Sequence, residues 1–453
     1  MALIELDLTA QPEPSPRRSI PPAYRYRLPG LALAAVLLLA LGGAAPAGPT
    51  VWRYLGAVPA VESGGAQSRL AGDRVYTMTV LGAERSATAW QVGDPPRKLW
   101  SVTYPARRTT PDDVGFGGAD AHPAGDQVLF TDGPATTAVD ARSGHVLWRS
   151  PVTVGALPGN RNGLSITQVF RPGTVYDQAS GDPGLLYFSS TGEPHTEPPV
   201  RTEVHGVDLR TGADRWTVAL PGSVNVLPAP GNDPAVLVVA SDRLDRIDGN
   251  TGAITRSVAL PKIGKVGPTG GELAGGMLVV RYGAYGAAGQ EVGYAPDTLE
   301  KRWQRAVPEV LLDPPGCAGV LCAGPRTNLE VLDPATGRTA WHAPATVDLT
   351  VQSGYVVEVD IDSGNPVRLV DPATGATRVD LAGWFGGITD DVELPLVVRR
   401  ALDAGRSAFG VVSGGRVQLL GASAGPVSDC TAGARYVMCR GNEGLQFWRY
   451  RAQ

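Results

Sequence analysis

The chain has 453 residues, including 58 glycines and 39 prolines, and 43% of its residues are hydrophobic. That much glycine and proline argues against long helices and favours many short strands joined by turns, and the hydrophobic share excludes extensive disorder. The formal net charge is −4, from 40 basic and 44 acidic residues that are interspersed. Because no basic surface is available for phosphates, we expect no nucleic-acid partner.

The first predicted element is a membrane-spanning segment near the N-terminus. Residues 28–52 carry no charge and follow a polar leader, residues 1–27, that contains Arg17, Arg18, Arg25 and Arg27. This pattern predicts a single-pass signal-anchor helix over residues 28–48, with the leader in the cytoplasm and everything after residue 50 outside. A cleaved signal peptide ending near Ala45–Ala47 is the alternative, and it leads to the same location for the rest of the chain.

A short motif then recurs along the chain. In three segments, residues 138–148, 206–216 and 331–341, an Asp is followed by Gly four residues later and by Trp eight residues later. The residues concerned are Asp140, Gly144 and Trp148; Asp208, Gly212 and Trp216; and Asp333, Gly337 and Trp341. The spacing predicts a β-hairpin in which the Asp carboxylate accepts turn N–H groups and Gly adopts the left-handed conformation. The Trp ends the next strand, where it is suited to pack between sheets.

Incomplete copies extend the series. Asp248–Gly252 and Asp371–Gly375 lack the Trp, Asp297–Trp303 lacks the Gly, and residues 89–100 and 410–420 are divergent copies. Such a hairpin cannot bury its apolar face alone, so the copies predict sheets that stack side by side.

The spacing of the tryptophans indicates the size of each unit. Trp100 and Trp148 are 48 residues apart, Trp148 and Trp216 are 68 apart, and Trp303 and Trp341 are 38 apart. Four short strands need about 40–50 residues, the length of a propeller blade. The longer step predicts an insertion at about residues 173–199, which is a candidate functional loop.

These Asp-x-x-Thr-Gly-x-x-x-Trp hairpins resemble the PQQ-like (quinoprotein-type) β-propeller repeat family. The resemblance implies an all-β fold over residues 50–453, an about eight-bladed propeller of four-stranded antiparallel blades. A literal count of hairpins gives nine units, and seven and nine remain open. The strand Gly444–Tyr450 is expected to pair with Thr50–Leu55 and so to close the ring through the termini.

Four cysteines form two local pairs, Cys317 with Cys322 and Cys430 with Cys439. In an exported chain this pattern predicts two disulfides that staple hairpins, with free buried thiols as the alternative. The spacing fits neither a redox CxxC motif nor a zinc site.

No residue pattern predicts catalysis, a cofactor or a metal ion. Asp360–Asn365 is similar to a calcium loop but lacks the distal Glu, so we interpret it as a hairpin turn capped by Asp. The acid pairs Asp112–Asp113 and Asp390–Asp391 are interpreted as solvated loop carboxylates, and the glycine-rich stretch Gly115–Gly118 precedes no predicted helix that would help bind phosphate. The chain also lacks the adjacent cysteines found in many quinoprotein dehydrogenases.

The sequence therefore predicts a membrane-tethered scaffold of the bacterial cell envelope that is not an enzyme. Its inter-blade loops would bind an envelope protein or a small ligand. The resemblance leaves one alternative open, an oxidoreductase that depends on PQQ and calcium. A ligand-sensing ectodomain is the other alternative.

Overall fold

The computed structural model describes residues 52–59, 67–81, 84–106, 119–310, 317–389 and 391–451. The leader 1–27, the predicted helix 28–48, the pair Asp112–Asp113, the stretch Gly115–Gly118 and Asp390 lie outside the described residues. Among the residues described, no helix combines the length and the apolar character needed to cross a bilayer.

The described residues form 38 strands, arranged in sheets that we call blades and number in chain order. Strand β1 (Trp52–Val58) belongs to the last blade. Blade 1 contains β2 (Gln67–Ala71), β3 (Arg74–Leu81), β4 (Glu84–Gln91) and β5 (Arg97–Pro105), and blade 2 contains β6 (Ala119–Ala124), β7 (Gln127–Asp132), β8 (Ala135–Asp140) and β9 (Val146–Ser150). Blade 3 contains β10 (Gly155–Ala156), β11 (Asn162–Val169), β14 (Arg201–Asp208) and β15 (Asp214–Pro221), with a separate hairpin of β12 (Tyr187–Phe188) and β13 (Pro194–His195).

The remaining blades follow the same order. Blade 4 contains β16 (Asn225–Pro228), β17 (Val236–Val239), β18 (Arg243–Ile247) and β19 (Ile254–Ala259), and blade 5 contains β20 (Pro268–Ala274), β21 (Met277–Tyr282), β22 (Gly289–Tyr294) and β23 (Lys301–Val307). After β24 (Cys317–Ala318), blade 6 contains β25 (Cys322–Ala323), β26 (Glu330–Leu332) and β27 (Thr339–His342), and blade 7 contains β28 (Val347–Gln352), β29 (Tyr355–Asp360), β30 (Pro366–Val370) and β31 (Thr377–Asp380). Blade 8 contains β32 (Phe385–Gly387), β33 (Val397–Ala401), β34 (Ser407–Ser413) and β35 (Arg416–Ala422), and blade 9 contains β36 (Val427–Ala432), β37 (Tyr436–Gly441), β38 (Gly444–Tyr450) and β1. Short 3₁₀ turns lie at Gln178–Ser180, Arg326–Asn328 and Asp403–Gly405.

The described residues thus form a nine-bladed propeller, close to the predicted number of about eight and equal to one of the counts left open. The literal hairpin count gives the observed number, because the divergent copies that lost their Trp still build a sheet each. Blade 6 departs from the four-stranded plan: β24, which precedes it, pairs in parallel with β28 of blade 7. Blade 6 therefore has three short antiparallel strands.

The ring closes through the chain termini, as predicted. Strand β1 pairs antiparallel with β38, with Trp52 opposite Tyr450 and Val58 opposite Leu445. The first described strand is therefore the fourth strand of a sheet whose other three strands end the propeller.

The core is divided among the blade interfaces. Side chains alternate between the two faces of each strand, so every blade presents apolar residues to both neighbours. Among the residues that the structure describes, nine buried clusters result, and each joins two consecutive blades. The one that joins blade 9 to blade 1 contains Phe447, Leu445, Leu70 and Val75. Because each fully buried Leu, Val or Phe contributes about 1.5–3 kcal/mol, the sheets depend on their neighbours for stability.

Candidate functional site

Each repeat turn is closed by its aspartate. In blade 2, the Oδ1 atom of Asp140 accepts the backbone N–H of Ser143 at 2.7 Å and the Ser143 hydroxyl at 2.7 Å. These hydrogen bonds stabilise the ionised carboxylate and hold the pKa of Asp140 below its ordinary value. The N–H of Gly144 donates to the Asp140 carbonyl oxygen at 2.9 Å, and Gly144 has a φ of +77°. Asp208 and Asp333 close the corresponding turns with Gly212 and Gly337.

The repeat tryptophans contact the next blade along the chain. Trp148 of blade 2 donates its indole N–H to the carbonyl oxygen of Leu209 in blade 3 at 2.5 Å, and its ring lies against Gly212. A Cβ atom added to Gly212 would be 2.7 Å from that ring, which is too close. Five such contacts occur among the described residues: Trp100 with Gly144, Trp148 with Gly212, Trp216 with Gly252, Trp303 with Gly337, and Trp341 with Gly375. The structure therefore pairs each predicted Trp with the Gly of the following repeat, and we call this contact the Trp–Gly latch.

All four cysteines form disulfides. The Cys317–Cys322 bond links β24, which is paired with blade 7, to β25 of blade 6. The Cys430–Cys439 bond connects β36 and β37 within the closing blade. Both bonds hold positions where the regular repeat is interrupted or closed, which gives them a structural role.

The aspartate-rich segments serve turns in the structure. Asp360 accepts the N–H of Ser363 at 2.8 Å and its hydroxyl at 2.6 Å, and Gly364 completes the same kind of turn with a φ of +68°. Asp391 accepts the N–H of Glu393 at 2.9 Å. Within the described ranges, no group of three His, Cys, Asp or Glu side chains is arranged to hold a metal ion.

The insertion in blade 3 has its own small core. Residues 170–200 connect β11 to β14 and contain the β12–β13 hairpin. His195 is 5% exposed; its ring stacks on Phe170 with the centroids 3.7 Å apart, and its Nδ1 atom lies 3.1 Å from the Thr174 hydroxyl. Arg171 also forms an ion pair with Glu197 at 2.8 Å. These contacts fix the base of the insertion on blade 3.

The same insertion exposes apolar side chains to solvent. Leu185 is 70% exposed, and three more apolar residues are about half exposed: Val175 at 52%, Val200 at 48% and Phe188 at 43%. Because loops on a rigid scaffold often carry binding residues, these exposed side chains are candidates for contact with a partner. The sequence located this loop through its spacing, but it did not distinguish the buried His195 from the exposed Leu185.

A family model described as the outer membrane protein assembly factor BamB matches residues 200–383. The match begins at the end of the insertion and extends through blade 7, so it covers four of the Gly positions of the repeat turns. Together with the observed blades, this match confirms the resemblance to PQQ-like β-propellers over residues 200–383. No curated protein sequence matches the chain.

Three solved structures show a distant similarity to the chain. BamB from Moraxella catarrhalis is 13% identical, with a TM-score of 0.39 over 89% of this chain and 99% of its own. The computationally designed protein Ika8 is 13% identical, with a TM-score of 0.40 over 73% of this chain and 95% of its own. A eukaryotic initiation factor is 9% identical, with a TM-score of 0.42 over 80% of this chain and 91% of its own. At these values the likenesses support no functional conclusion.

Proposed function

We propose that this chain is an exported β-propeller scaffold of the cell envelope, which binds a protein partner and has no catalytic activity of its own. The observation that carries the proposal is the blade 3 insertion, whose base is fixed by His195 and whose surface presents Leu185. The two disulfides support export, because such bonds persist in oxidising compartments. The matched family description, an outer membrane assembly factor, supports a protein as the partner.

The insertion has the physical properties of a binding loop. Burying one Leu side chain against a partner contributes about 1.5–3 kcal/mol. Because the loop base is already ordered by the stacked His195 and Phe170 rings, little conformational entropy is lost on binding. The exposed Leu185 is therefore the residue at which we expect partner binding to be most sensitive.

Cross-linking in the native envelope tests this function. The full chain, the variant Leu185→Asp and the control Leu419→Asp are each cross-linked, purified and analysed by mass spectrometry. Leu419 is 55% exposed on β35 of blade 8, so the control places the same charge on another blade. We expect Leu185→Asp to lose a specific protein by about tenfold or more, which corresponds to about 1.4 kcal/mol, while Leu419→Asp retains it. Equal recovery with both variants would contradict the proposal.

We further propose that residues 28–48 tether the propeller to the membrane. Their uncharged composition after an arginine-containing leader supports this attachment. The full chain should remain in the membrane pellet after carbonate extraction, whereas a chain that begins at residue 51 should be released. Release of both proteins would exclude the anchor.

A further inference from the structure

The face of blade 5 toward blade 6 carries a row of charged side chains. Four residues on the face of blade 5 toward blade 6 form a row across all its strands: Glu272, Arg281, Glu291 and Arg305. Arg281 is opposite Glu291, and Glu291 is opposite Arg305, in the strand register. Arg281 contacts Glu272 directly, and the Nε atoms of Arg281 and Arg305 each lie 3.7 Å from Glu291. Burial of Glu291 raises its pKa above the ordinary value.

Blade 6 leaves part of this row uncovered. Its strand β25 has two residues, after which the chain turns at Gly324 and Pro325 into the 3₁₀ turn Arg326–Asn328. A cleft of about 370 Å³ remains between blades 5 and 6. Apolar and polar groups both line it, among them Val307, Pro308, Pro325, Glu309, Asn328 and Glu330.

Within the described part of the chain, two polar side chains of the cleft are engaged: Arg281 contacts Glu272, and Glu330 accepts the Thr339 hydroxyl at 2.8 Å. Three others, Arg305, Glu309 and Asn328, have no side-chain hydrogen bond to a described residue. The Arg305 side chain is 20% exposed and contacts Glu291 at 3.7 Å and Glu330 at 3.9 Å, both beyond hydrogen-bond length. The cleft therefore contains donors and acceptors that no described residue satisfies, at Arg305, Glu309 and Asn328.

Two other arginines, Arg85 and Arg368, are engaged differently. Between blades 1 and 2, Arg85 donates two hydrogen bonds to Asp132, at 3.0 and 2.8 Å. In blade 7, Arg368 donates two hydrogen bonds to Glu358, at 2.7 and 2.9 Å. A half-buried guanidinium gains most from such bidentate bonds. Arg305 has no such bond to a described residue, so its donors are available to a ligand carboxylate.

We propose that the cleft between blades 5 and 6 binds a short peptide, with the C-terminal carboxylate on Arg305 and the peptide N–H or amino groups on Glu309 and Asn328. The acidic groups Glu291, Glu309 and Glu330 disfavour a free phosphate, and the two guanidinium groups disfavour a bare cation. A dipolar ligand satisfies both signs of charge, and the volume is in the range of small-ligand sites. This site is independent of the blade 3 insertion.

Calorimetric titration of the full chain with tri-alanine, its C-terminal amide and its N-acetyl form tests the proposal. We expect tri-alanine to bind and amidation to weaken binding by about tenfold or more, since a hydrogen bond to a charged group has that effect on affinity. Arg305→Gln should weaken tri-alanine binding equally and remove the difference between acid and amide. N-acetylation should weaken binding to the wild type, and less to Glu309→Gln.

Arg302→Gln is the matched control. Arg302 lies on the same strand as Arg305, does not line the cleft, and has a 45% exposed side chain paired with Glu300. It should bind tri-alanine like the wild type. Glu309→Gln changes an exposed side chain without a described partner, so it remains informative if Arg305→Gln fails to fold. The proposal is overturned by absence of tri-alanine binding at millimolar concentration, by an equal loss with Arg302→Gln, or by an unchanged preference for the acid in Arg305→Gln.

A twelve-residue peptide that ends in three alanines distinguishes the two sources of such a ligand. Binding equal to that of tri-alanine assigns the cleft to the C-terminus of a longer chain. Binding of tri-alanine alone assigns it to free short peptides. Loss of partner binding in Leu185→Asp leaves these titrations unaffected, so the two proposals fail independently.

Discussion

The two interfaces of blade 4 are built differently. Toward blade 3, Trp216 lies against Gly252 and donates its indole N–H to the Gly249 carbonyl oxygen at 3.1 Å. Toward blade 5, the corresponding position in β19 is Arg256, which is exposed, and Leu299 takes the place of the turn glycine. Leu299 has a φ of +56° and is 1% exposed. At the interface with blade 3, a large residue of the preceding blade packs on a turn glycine of blade 4. At the interface with blade 5, the preceding blade has the exposed Arg256 at that position, and Leu299 in the turn of blade 5 is buried there instead.

This difference shows why the repeat contains glycine. The left-handed conformation is retained at Leu299, so the turn alone does not require glycine. Glycine is present in each turn that a Trp of the preceding blade contacts: Gly144, Gly212, Gly252, Gly337 and Gly375. The indole that reaches over from the previous blade leaves no space for a Cβ atom, and this contact decides the residue.

The largest effect should come from removing Trp216, the tryptophan of the Trp–Gly latch between blades 3 and 4. Trp216→Ala should lower the free energy of unfolding by about 3 kcal/mol, because a large cavity is left between blades 3 and 4. Arg256→Ala, at the equivalent exposed position, should change it by less than about 0.5 kcal/mol. Urea unfolding followed by tryptophan fluorescence and by circular dichroism measures both. Similar losses for the two variants would remove the distinction between the interfaces.

At the interface between blades 4 and 5, the stability should depend on Leu299 of blade 5. Leu299→Ala should lower stability by about 2–3 kcal/mol, because Leu299 packs in the cluster that contains Leu260 of blade 4 and Leu278 of blade 5. Leu419→Ala, at a 55% exposed position, is the control and should be close to neutral. A loss below about 0.5 kcal/mol for Leu299→Ala would mean that Leu299 does not take the packing role that Trp216 has at the other interface.

A comparison of alanine substitutions at two glycines distinguishes the cost of backbone strain from the cost of a steric clash. Gly252 and Gly364 have φ values of +74° and +68°, but a Cβ atom at Gly252 meets Trp216 at 2.7 Å, whereas one at Gly364 meets nothing within 4 Å. Gly364→Ala should cost about 1 kcal/mol from the left-handed backbone alone. Gly252→Ala should cost about 2–3 kcal/mol, because displacement of the ring adds to that strain. Equal unfolding midpoints for the two variants would show that the contact with Trp216 is unimportant.

Features of the fold that have a local sequence signal could be predicted, and the Trp–Gly latch is one of them. The Asp–Gly–Trp spacing predicted the hairpins and, with the family resemblance, the all-β propeller, because these depend on local turn chemistry and alternation. The strand-like segments 50–55 and 444–450 predicted the pairing that closes the ring. The copy that follows a lost Trp also loses its glycine, at Leu299, and this is a signal that the two residues meet across repeats. The parallel pairing of β24 with β28 has no local signal, since it depends on long-range register.

Candidate binding residues were less predictable than the fold. The spacing located the blade 3 insertion, but exposure of Leu185 and burial of His195 depend on tertiary contacts. The charged row on blade 5 draws one residue from each of four strands, and it becomes visible only when the strands are paired. The cleft exists because blade 6 is short, which composition and periodicity do not indicate.

The smallest predicted effect concerns the aspartate that the two kinds of turn share. Asp140 closes a turn contacted by Trp100, and Asp360 closes one that no described ring contacts, yet hydrogen bonds from Ser143 and Ser363 lower the pKa of both. A lowered folded-state pKa gives stability that is present above the unfolded value of about 3.9 and is lost as the pH falls through the folded value. Asp140→Asn should therefore cost about 0.5 kcal/mol at pH 7, a small value because the group is solvent-screened, and nothing near pH 2.

Asp360→Asn should show the same pH dependence in urea unfolding midpoints measured at pH 7, 5 and 3, because the carboxylate–serine geometry is the same in both turns. Such agreement assigns the difference between the interfaces to the Trp and its glycine. A pH-dependent loss confined to Asp140→Asn would instead mean that the Trp100 contact changes how the aspartate is held, and the latch would then include the carboxylate.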